Sequence, residues 1–316
     1  MMEFSDRLHR AVLQAGTPLC VGLDPHLDQL PAPLVRRHIE QAGDPATGYA
    51  RATETFLLRI MDRIAPLVAV IKPQWAFFEQ LGPQGMMVLR RICSEARDRG
   101  LLVLADAKRG DIGSTAEAYA RTFFEPADPS DCRVPPPMPA DAVTLNPYLG
   151  SDAIIPFIRK NPQHGVFILV RTSNASGDEI QNLPVDDHML QEHVARYVHE
   201  WGRSRLGECG WSSVGAVVGA TYPEEAERLR RLMPDTPFLI PGFGAQGGSA
   251  DAAVTALRRD GSGGIVNSSR AILFAYRKAP YAGQFGEDAY DRAAEAACRD
   301  AVCRINEALH MKKPGE

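Results

Sequence analysis

The sequence has no long apolar run and few cysteines. No segment approaches the roughly 20 consecutive apolar residues of a membrane-spanning helix, and the first seven residues lack the apolar stretch of a secretory signal peptide. The six cysteines are scattered over 316 residues without the Cys-x-x-Cys spacing of a zinc site or a redox pair. These absences argue against a membrane protein and against a disulfide-rich secreted protein, so we expect a soluble protein of the reducing cytoplasm.

The sequence also lacks a strong charge of either sign. It has 35 Lys and Arg against 39 Asp and Glu, which gives a net charge of −4 and a pI near 6.1. A general nucleic-acid surface would require a basic excess, so that class of partner is not predicted. The near-neutral balance is still compatible with a small cationic pocket for an anion.

Eight short apolar segments alternate with helical stretches along the chain. The predicted strands are residues 19–23, 67–71, 101–105, 142–145, 166–170, 214–218, 237–240 and 264–267. Helices are predicted over about 48–64, 84–98, 115–124 and 288–309 from apolar residues at helical spacing. We find no signal for an antiparallel hairpin. The pattern predicts an α/β fold, a TIM barrel of the (β/α)8 type with parallel strands, as one domain over residues 1–316.

Two stretches interrupt this alternation. Residues 125–140 are rich in proline and have no periodicity, so we predict a surface insertion of the barrel there. Residues 174–187 are polar and follow the fifth predicted strand. In that place they could form a mobile flap over a binding site.

A charged segment follows the third predicted strand. It reads Asp106-Ala-Lys108-Arg-Gly-Asp111. Because side chains alternate along a strand, Asp106 and Lys108 are expected to point the same way. Burial of an unpaired charge is costly, so such a cluster persists only if its members are paired or used. It is either a structural ion pair that closes the strand or an acid–base site.

Polar residues follow other predicted strands as well. In a parallel barrel all these strand ends meet at one mouth, where barrel enzymes have their active sites. The residues at the strand ends are Asp24, Lys72, Asp106, Lys108, Asp111, Asn146 and Ser173. Each is a weak signal alone, but together they predict two lysines and three carboxylates close enough to couple their protonation.

A glycine-rich segment follows the seventh predicted strand. Pro241–Gly248 has four glycines within residues 242–248, and unobstructed amides of this kind can form a nest for an anion. The eighth strand then leads to Ser268-Ser-Arg270, which supplies amides and a guanidinium. Loops seven and eight form the usual phosphate site of such barrels, so we predict phosphate binding. The alternative is a packing turn with an exposed arginine.

Other ligand classes are less well supported. The same segment matches the Gly-x-Gly-x-x-Gly pattern of dinucleotide-binding proteins, but the strand after it ends in Asn267 rather than in an acidic residue. His188, His193 and His199 are five and six residues apart and share no helical face, so no metal site is predicted.

These residues resemble the orotidine 5′-phosphate decarboxylase family, and in particular its longer bacterial subgroup. The resemblance runs from about residue 19 to residue 276, with Asp106–Thr115 and Pro241–Gly248 as its most specific parts. Thr144–Gly150 and Thr172–Asn174 are similar to the longer subgroup. The resemblance implies a homodimeric barrel that converts orotidine 5′-monophosphate to uridine 5′-monophosphate and carbon dioxide, the last step of de novo pyrimidine synthesis. It also implies that no metal or organic cofactor is used.

The resemblance implies a catalytic array made of Lys72, Asp106, Lys108 and Asp111. Lys108 would donate the proton to C6 of the pyrimidine. Asp106 would lie beside the substrate carboxylate, and Lys72 would bridge Asp106 and the ribose. Asp111 and Thr115 would reach across the dimer interface into the partner's site, which would make the homodimer part of the active site.

The resemblance also implies a set of substrate-binding residues. The set is Asp24, Thr115, Asn146, Ser173, Gln246, Gly247 and Arg270. Within it, Asp24 would hold a ribose hydroxyl and Ser173 the pyrimidine edge, while the last three residues would hold the phosphate.

Two other functions are compatible with the sequence. A related barrel lyase that acts on a sugar phosphate, such as a keto-gulonate-phosphate decarboxylase, has a similar Asp-x-Lys-x-x-Asp motif and requires magnesium. Activity that disappears with a chelator would indicate such an enzyme. A non-catalytic sensor of a phosphate-bearing ligand would bind a nucleotide without turnover.

Overall fold

Eight apolar segments of the chain form parallel strands that close into a barrel. The computed structural model describes residues 2–128, 130–131, 133–159, 161–244 and 248–312. We number the barrel strands β1 to β8: Leu19–Leu23, Val70–Pro73, Leu102–Arg109, Ala142–Leu145, Gly165–Arg171, Val214–Val218, Phe238–Ile240 and Gly264–Ser268. Each strand pairs with its neighbour in the chain, and β8 pairs with β1. The predicted parallel (β/α)8 barrel is confirmed.

Helices surround the barrel, and the four predicted from periodicity are all present. The longer α-helices are Phe4–Ala15, Ala32–Ala42, Pro45–Ile64, Gly82–Asp98, Gly113–Phe124, Leu190–Gly202, Pro223–Leu232 and Tyr290–Met311. The short α-helices are Ala76–Glu79, Ile155–Ile158, Asp178–Gln181, Ala250–Val254 and Arg270–Leu273. The 3-10 turns are Leu27–Gln29, Ser151–Ala153, Ala175–Gly177, Arg203–Arg205, Ala275–Arg277, Tyr281–Gly283 and Glu287–Ala289. No described helix is both long and apolar enough to cross a bilayer.

The barrel interior is filled by side chains from alternate strand positions, and one end of it is closed by the first helix. Phe4 and Leu8 of that helix belong to the interior cluster of buried residues. The Phe4 ring meets the Phe167 ring edge-on at 6.4 Å between centroids, and the Phe4 amide donates to the Pro162 carbonyl just before β5. The amino-terminal end of the barrel is therefore plugged, which leaves the carboxyl-terminal end for a site.

Two strands differ from their predicted bounds by more than one residue, and both differences involve charged residues. β2 starts at Val70 rather than at residue 67, because the Leu67 amide still donates to the Ile64 carbonyl at the helix end. β3 continues to Arg109 through a register shift after Ala105. Lys72, Asp106 and Lys108 therefore lie within strands rather than after them.

A small antiparallel hairpin was not predicted. It pairs Pro184–Val185 with His188–Met189, in the polar stretch after β5. Its turn contains Asp186 with a φ of +50°, a backbone region that Asp tolerates better than most residues. Two-residue strands are too short to show alternation, and the turn has none of the usual glycine signals.

The proline-rich stretch forms neither helix nor strand among its described residues. It stays attached to the end of helix Gly113–Phe124, because Met138 and Ala140 donate backbone hydrogen bonds to Thr122 and Phe123. Its assignment as an insertion, and the extent of the single domain, stay predictions.

Candidate active site

A cavity of about 400 Å³ opens at the carboxyl-terminal end of the barrel. All eight strands, or the segments that directly follow them, contribute residues to it. Its described lining residues are Asp24, His26, Lys72, Gln74, Asp106, Lys108, Thr144, Leu169, Thr172, Ser173, Asn174, Val217, Leu239, Pro241, Gly242, Phe243, Asn267, Ser269 and Arg270. A concave site of this size with converging polar groups is typical of small-molecule binding.

A buried carboxylate lies between two lysines on one wall of the cavity. Lys72 Nζ donates to Asp106 Oδ2 at 2.7 Å, and Lys108 Nζ donates to Asp106 Oδ1 at 2.5 Å. Lys72 and Asp106 are 4% and 7% exposed, whereas the Lys108 side chain is 45% exposed. The expected convergence of Asp106 with both lysines is thus present, and Lys108 is the member that a ligand can reach.

Electrostatics keep this cluster charged. Burial would raise the pKa of Asp106, but the ammonium groups of Lys72 and Lys108 outweigh burial and hold its pKa well below the ordinary value. Burial would lower the pKa of Lys72, but the charges of Asp106 and Asp24 hold its pKa above the ordinary value. Opposite charges at hydrogen-bond distance favour the ionised form of each group. At neutral pH the site therefore contains a carboxylate between cations.

Two neutral residues that the strand-end pattern did not predict complete the hydrogen bonds of Asp106. Gln74 Nε2 donates to Asp106 Oδ2 at 2.9 Å. Thr144 Oγ1 donates to Asp106 Oδ1 at 3.1 Å and accepts from the Lys108 amide at 2.9 Å. Their positions near the ends of β2 and β4 could have been read from the sequence, but both residue types are common at strand ends.

Lys108 has an unusual backbone conformation. Its φ is +46°, in the left-handed region that non-glycine residues rarely occupy. The strained conformation lies beside the register shift of β3, and the Thr144 hydroxyl holds the Lys108 amide there. Strain of this kind is characteristic of functional positions, where the surrounding structure supports it.

Asp111 and Thr115 do not reach the cavity within one chain. Neither residue lines it; Asp111 Oδ1 accepts from the Ile112 amide at 2.8 Å, and Thr115 is exposed. The structure therefore brings Asp24 and Asp106, but not Asp111, to the two lysines. The predicted contribution of Asp111 and Thr115 to a partner's site stays a prediction.

Asn146 also lies outside the cavity. It is exposed, and its Oδ1 accepts from the Tyr148 amide at 3.0 Å. It lines a neighbouring, more apolar groove of about 1040 Å³ that shares Lys108, Thr172 and Asn174 with the cavity. A strand-end position alone does not decide whether a side chain points into the barrel mouth, because residues after a strand leave its alternation.

The glycine-rich segment that is predicted to bind phosphate follows β7. It lies across the barrel from β2 and β3, which contain the two lysines. Gly242 and Gly244 have φ values of +104° and +82°, which require glycine. The Gly244 and Gly248 amides donate to carbonyls of the same loop, so these two do not form the free nest that was expected. Gln246 and Gly247 lie outside the described residues.

On this side of the cavity, Arg270 is the cationic side chain among the described lining residues. It begins a short helix directly after β8 and lines the cavity. Its guanidinium makes no hydrogen bond or ion pair with another described residue, unlike Lys72 and Lys108. A partly exposed guanidinium with no partner among the described residues is suited to a phosphate.

Ser173 lines the cavity as predicted, on a segment that a buried arginine supports. Arg171 is fully buried at the end of β5. It donates to Glu225 at 2.5 Å and to Asp178 at 2.6 Å. Gln181 accepts from the Thr172 amide at 3.0 Å and donates to the Thr172 hydroxyl at 2.8 Å. The polar stretch after β5 is thus tied to the barrel.

The described residues contain no group of three or more His, Cys, Asp or Glu side chains arranged to hold a metal ion. The acidic side chains of the cavity are instead hydrogen-bonded to lysines or lie apart from one another. The charged side chains that line the cavity are Asp24, Lys72, Asp106, Lys108 and Arg270.

Comparison with known proteins decides the family. A family model described as the orotidine 5′-phosphate decarboxylase / HUMPS family matches residues 17–284. The chain belongs to this family. It is 45% identical over 311 residues to the orotidine 5′-phosphate decarboxylase of Rhodopirellula baltica, which covers 98% of this chain and 99% of that protein. The corresponding protein of Caldicellulosiruptor bescii is 37% identical over 281 residues, which is 88% of this chain and 91% of the relative.

A solved structure agrees with the sequence relatives. The structure of Leishmania donovani OMP decarboxylase superimposes with a TM-score of 0.73 at 32% identity, over 98% of this chain and 99% of that chain. The family predicted from the two motifs is confirmed, and so is the enzyme class: the chain is a decarboxylase, a carbon–carbon lyase.

Proposed function

We propose that this chain converts orotidine 5′-phosphate to uridine 5′-phosphate and carbon dioxide, with Lys108 as the proton donor. The observation that carries the proposal is the Lys72–Asp106–Lys108 cluster in a cavity that ends at Arg270. A fixed row of charges at one wall and a phosphate-binding cation at the other match a substrate with a carboxylate on one end and a phosphate on the other.

The reaction needs local stabilisation of charge. When the bond between C6 and the carboxylate carbon breaks, its electron pair stays on C6 in the plane of the ring, where no π system delocalises it. A positioned ammonium stabilises that pair and then donates its proton to C6. Lys108 is left neutral and regains a proton from water. Its side chain, which is 45% exposed, is held at 2.5 Å from Asp106.

Asp106 has two roles in the proposed reaction. Its carboxylate keeps both ammonium groups in position through hydrogen bonds of 2.7 and 2.5 Å. Its negative charge would also lie beside the carboxylate of the substrate, so that repulsion between the two is relieved as carbon dioxide leaves. The positions of Lys72 and Asp106 are set before the substrate binds, because both are buried in strands.

A single contact cannot account for the catalysis. Enzymes lower barriers by about 8–23 kcal/mol, whereas one hydrogen-bond donor contributes about 3–4 kcal/mol. Binding energy from remote parts of the substrate must therefore be used at the reacting carbon. We assign Arg270 to the phosphate, Ser173 to the pyrimidine edge and Asp24 to a ribose hydroxyl, as the resemblance implied.

We further propose that the active form is a homodimer in which Asp111 and Thr115 complete the partner's site. Both lie on an exposed stretch that follows β3, and Ile112 between them is 54% exposed. Tyr148, at the nearby end of β4, is 88% exposed. Exposed apolar patches on a protein surface often mark sites of interaction with another protein.

Subunit mixing tests the shared site. Asp111→Ala and Lys108→Ala chains are each expected to be inactive. Mixed dimers are expected to regain activity, because each contains one site with both intact residues. Absence of recovery after verified subunit exchange contradicts the shared site.

Turnover of the substrate tests the function itself. Chelator-treated wild-type protein is incubated with orotidine 5′-phosphate, and the loss of pyrimidine absorbance is followed, with Lys108→Ala as the matched control. We expect rapid loss for the wild type alone. Binding of uridine 5′-phosphate without turnover, or metal-dependent activity on a sugar phosphate instead, would overturn the proposal.

We also propose a cytoplasmic location. The described cysteines Cys20, Cys93, Cys209, Cys298 and Cys303 are all free thiols. Free thiols persist in a reducing compartment. Detection of the protein in a secreted or periplasmic fraction would contradict this assignment.

A further inference from the structure

Arg171 is a buried arginine that the proposed reaction does not use. It is the last residue of β5 and is fully buried. It is not among the residues that line the cavity, whereas Thr172, Ser173 and Asn174, which follow it directly, all line it. A buried guanidinium is unfavourable unless it is paired. The partners of Arg171 therefore show what its burial achieves.

The guanidinium of Arg171 joins two loops at the mouth of the barrel. Its Nη2 donates to Asp178 Oδ1 at 2.6 Å, in the loop after β5. Its Nε donates to Glu225 Oε2 at 2.5 Å, in the helix after β6. The Tyr222 ring lies against it, with the guanidinium carbon 4.0 Å from the ring centroid. The planar fork of an arginine can hold two carboxylates at once, so Arg171 fixes one loop relative to the other.

From Asp178 the link continues to the cavity through Gln181. Both residues belong to the same one-turn helix. Gln181 Oε1 accepts from the Thr172 amide at 3.0 Å, and Gln181 Nε2 donates to the Thr172 hydroxyl at 2.8 Å. The packing around this link is tight, because a Cβ on Gly177 would lie 3.1 Å from Gln181 Oε1 and 3.3 Å from Arg171 Nη1. The position of Thr172 therefore depends on where Arg171 holds the helix.

Ser173 is held from the loop after β6. The Gly219 amide, directly after β6, donates to the Arg171 carbonyl at 2.8 Å. A Cβ on Gly219 would lie 3.1 Å from the amide nitrogen, Cα and Cβ of Ser173. The Ser173 backbone therefore packs directly on the chain at the end of β6, in the loop that Glu225 ties to Arg171.

We infer that Arg171 is a positioning residue that sets Thr172 and Ser173 against the pyrimidine of the substrate. The inference rests on the proposed function, in which Ser173 contacts the pyrimidine edge, and extends it to a residue that touches no substrate atom. Loss of the guanidinium should loosen the segment that meets the base. The contacts assigned to phosphate and ribose belong to Arg270 and Asp24, which follow other strands, and should stay as they are.

Binding of two ligands tests the inference. Dissociation constants for uridine 5′-phosphate and for ribose 5-phosphate, which lacks the base, are measured by calorimetric titration with wild type and Arg171→Met. Binding of uridine 5′-phosphate should weaken by about tenfold, which corresponds to one hydrogen bond. Binding of ribose 5-phosphate should change by less than about twofold, as for sites that do not interact. Equal losses for the two ligands would indicate general structural damage and would overturn the inference.

Two further variants keep the test decisive if Arg171→Met does not fold. Gln181→Met cuts the link to Thr172 at a partly exposed residue and leaves both ion pairs in place, so it should show the same selective loss. An unchanged affinity of Gln181→Met for uridine 5′-phosphate would overturn the inference. Arg171→Lys retains the charge but not the fork, so its affinity for uridine 5′-phosphate should lie between those of Arg171→Met and wild type.

Arg205→Met is the matched control. Arg205 is also buried and pairs with Glu3 at 3.0 Å, but it lies at the plugged end of the barrel, where it donates to the Pro162 carbonyl. Its loss should lower the unfolding temperature and leave the affinity ratio of the two ligands unchanged. If Arg205→Met changed that ratio as much as Arg171→Met does, the special role of Arg171 would be refuted.

The outcomes separate this inference from the proposed function. If wild type binds uridine 5′-phosphate more tightly than ribose 5-phosphate, and Arg171→Met and Gln181→Met keep that ratio, the role of Arg171 is overturned while the decarboxylase proposal stands. If wild type does not bind uridine 5′-phosphate at all, the proposed function fails and this inference fails with it.

Discussion

The two sides of the cavity differ in how their polar groups are satisfied. On the β2–β3 side, Asp106 accepts hydrogen bonds from both lysines, from Gln74 and from Thr144. On the β8–β1 side, Asp24 Oδ1 and Asn267 Oδ1 accept no hydrogen bond from a described residue, and the Arg270 guanidinium contacts no described acidic residue. The carboxylate on the first side is satisfied within the chain, whereas the second side leaves buried acceptors without a partner among the described residues.

This difference reflects the cost of burying each kind of group. A buried charge without a partner costs several kcal/mol after relaxation, so the buried lysine and carboxylate must neutralise each other within the fold. A neutral amide oxygen without a donor costs only about 1–3 kcal/mol, and a partly exposed arginine remains hydrated. The reacting charges are thus preorganised, while the binding groups are neutral, as in Asn267, or partly exposed, as in Asp24 and Arg270.

The largest expected effect is on the β2–β3 side. Lys108→Ala should lower kcat by about 10²–10⁴-fold, the usual contribution of a general acid, and should leave the affinity for uridine 5′-phosphate intact. Steady-state kinetics and product binding are the measurements. A near-normal rate would refute the role of Lys108 as donor.

Removal of the Asp106 charge, on the same side of the cavity, should lower the stability of the protein. Asp106→Asn leaves two ammonium groups without their carboxylate, so we expect the free energy of unfolding at pH 7 to fall by about 3–5 kcal/mol. Urea denaturation is the measurement. Asp288→Asn, at an exposed position, is the control and should change it by less than about 0.5 kcal/mol.

The pH dependence of this effect has a defined sign. The folded pKa of Asp106 is held below its ordinary value, so its stabilisation is present above the unfolded pKa of about 3.9 and is lost as the pH falls below that value. The difference in free energy of unfolding between wild type and Asp106→Asn should therefore shrink as the pH falls below about 4. A difference that stays constant at lower pH would contradict the ion pair.

The third prediction concerns the β8–β1 side. Arg270→Ala should weaken binding of uridine 5′-phosphate by about 1.5–3 kcal/mol, the range for hydrogen bonds to charged groups. Binding of uridine, which has no phosphate, should not change. Calorimetric titration with both ligands measures the difference. Equal losses for the two ligands would show that Arg270 does not contact the phosphate.

The smallest predicted effect tests the wall of the β8–β1 side. Gly22→Ala introduces a Cβ that would lie 2.8 Å from Ser269 Cβ, so overpacking should cost about 1–3 kcal/mol of stability and weaken nucleotide binding without lowering kcat. Gly283→Ala is the matched control, since nothing lies within 4 Å of its added Cβ. If Gly22→Ala and Gly283→Ala changed stability and nucleotide binding equally, close packing at Gly22 would be contradicted.

Strand alternation and motif spacing predicted the location of several residues that line the cavity. They placed Asp106 and Lys108 on one side of β3 and identified Lys72, Ser173 and Arg270 as residues that line the cavity. They failed for Asn146, because a residue that follows the end of a strand, here Leu145 of β4, no longer has to keep the alternation of the strand. They also missed Gln74, Asn267 and the buried Arg171, which are ordinary polar residues until their neighbours in space are known.

The sequence by itself determined the order of strands and helices, the barrel and the family, because these depend on local periodicity and on two contiguous motifs. Only the tertiary structure decided which side chains pair: Thr144 with Asp106, Arg171 with Glu225 and Asp178, and neither Asp111 nor Asn146 with the lysines. The physical reason is that hydrogen-bond partners are fixed by the register between strands and by barrel closure. Both bring together residues far apart in the chain.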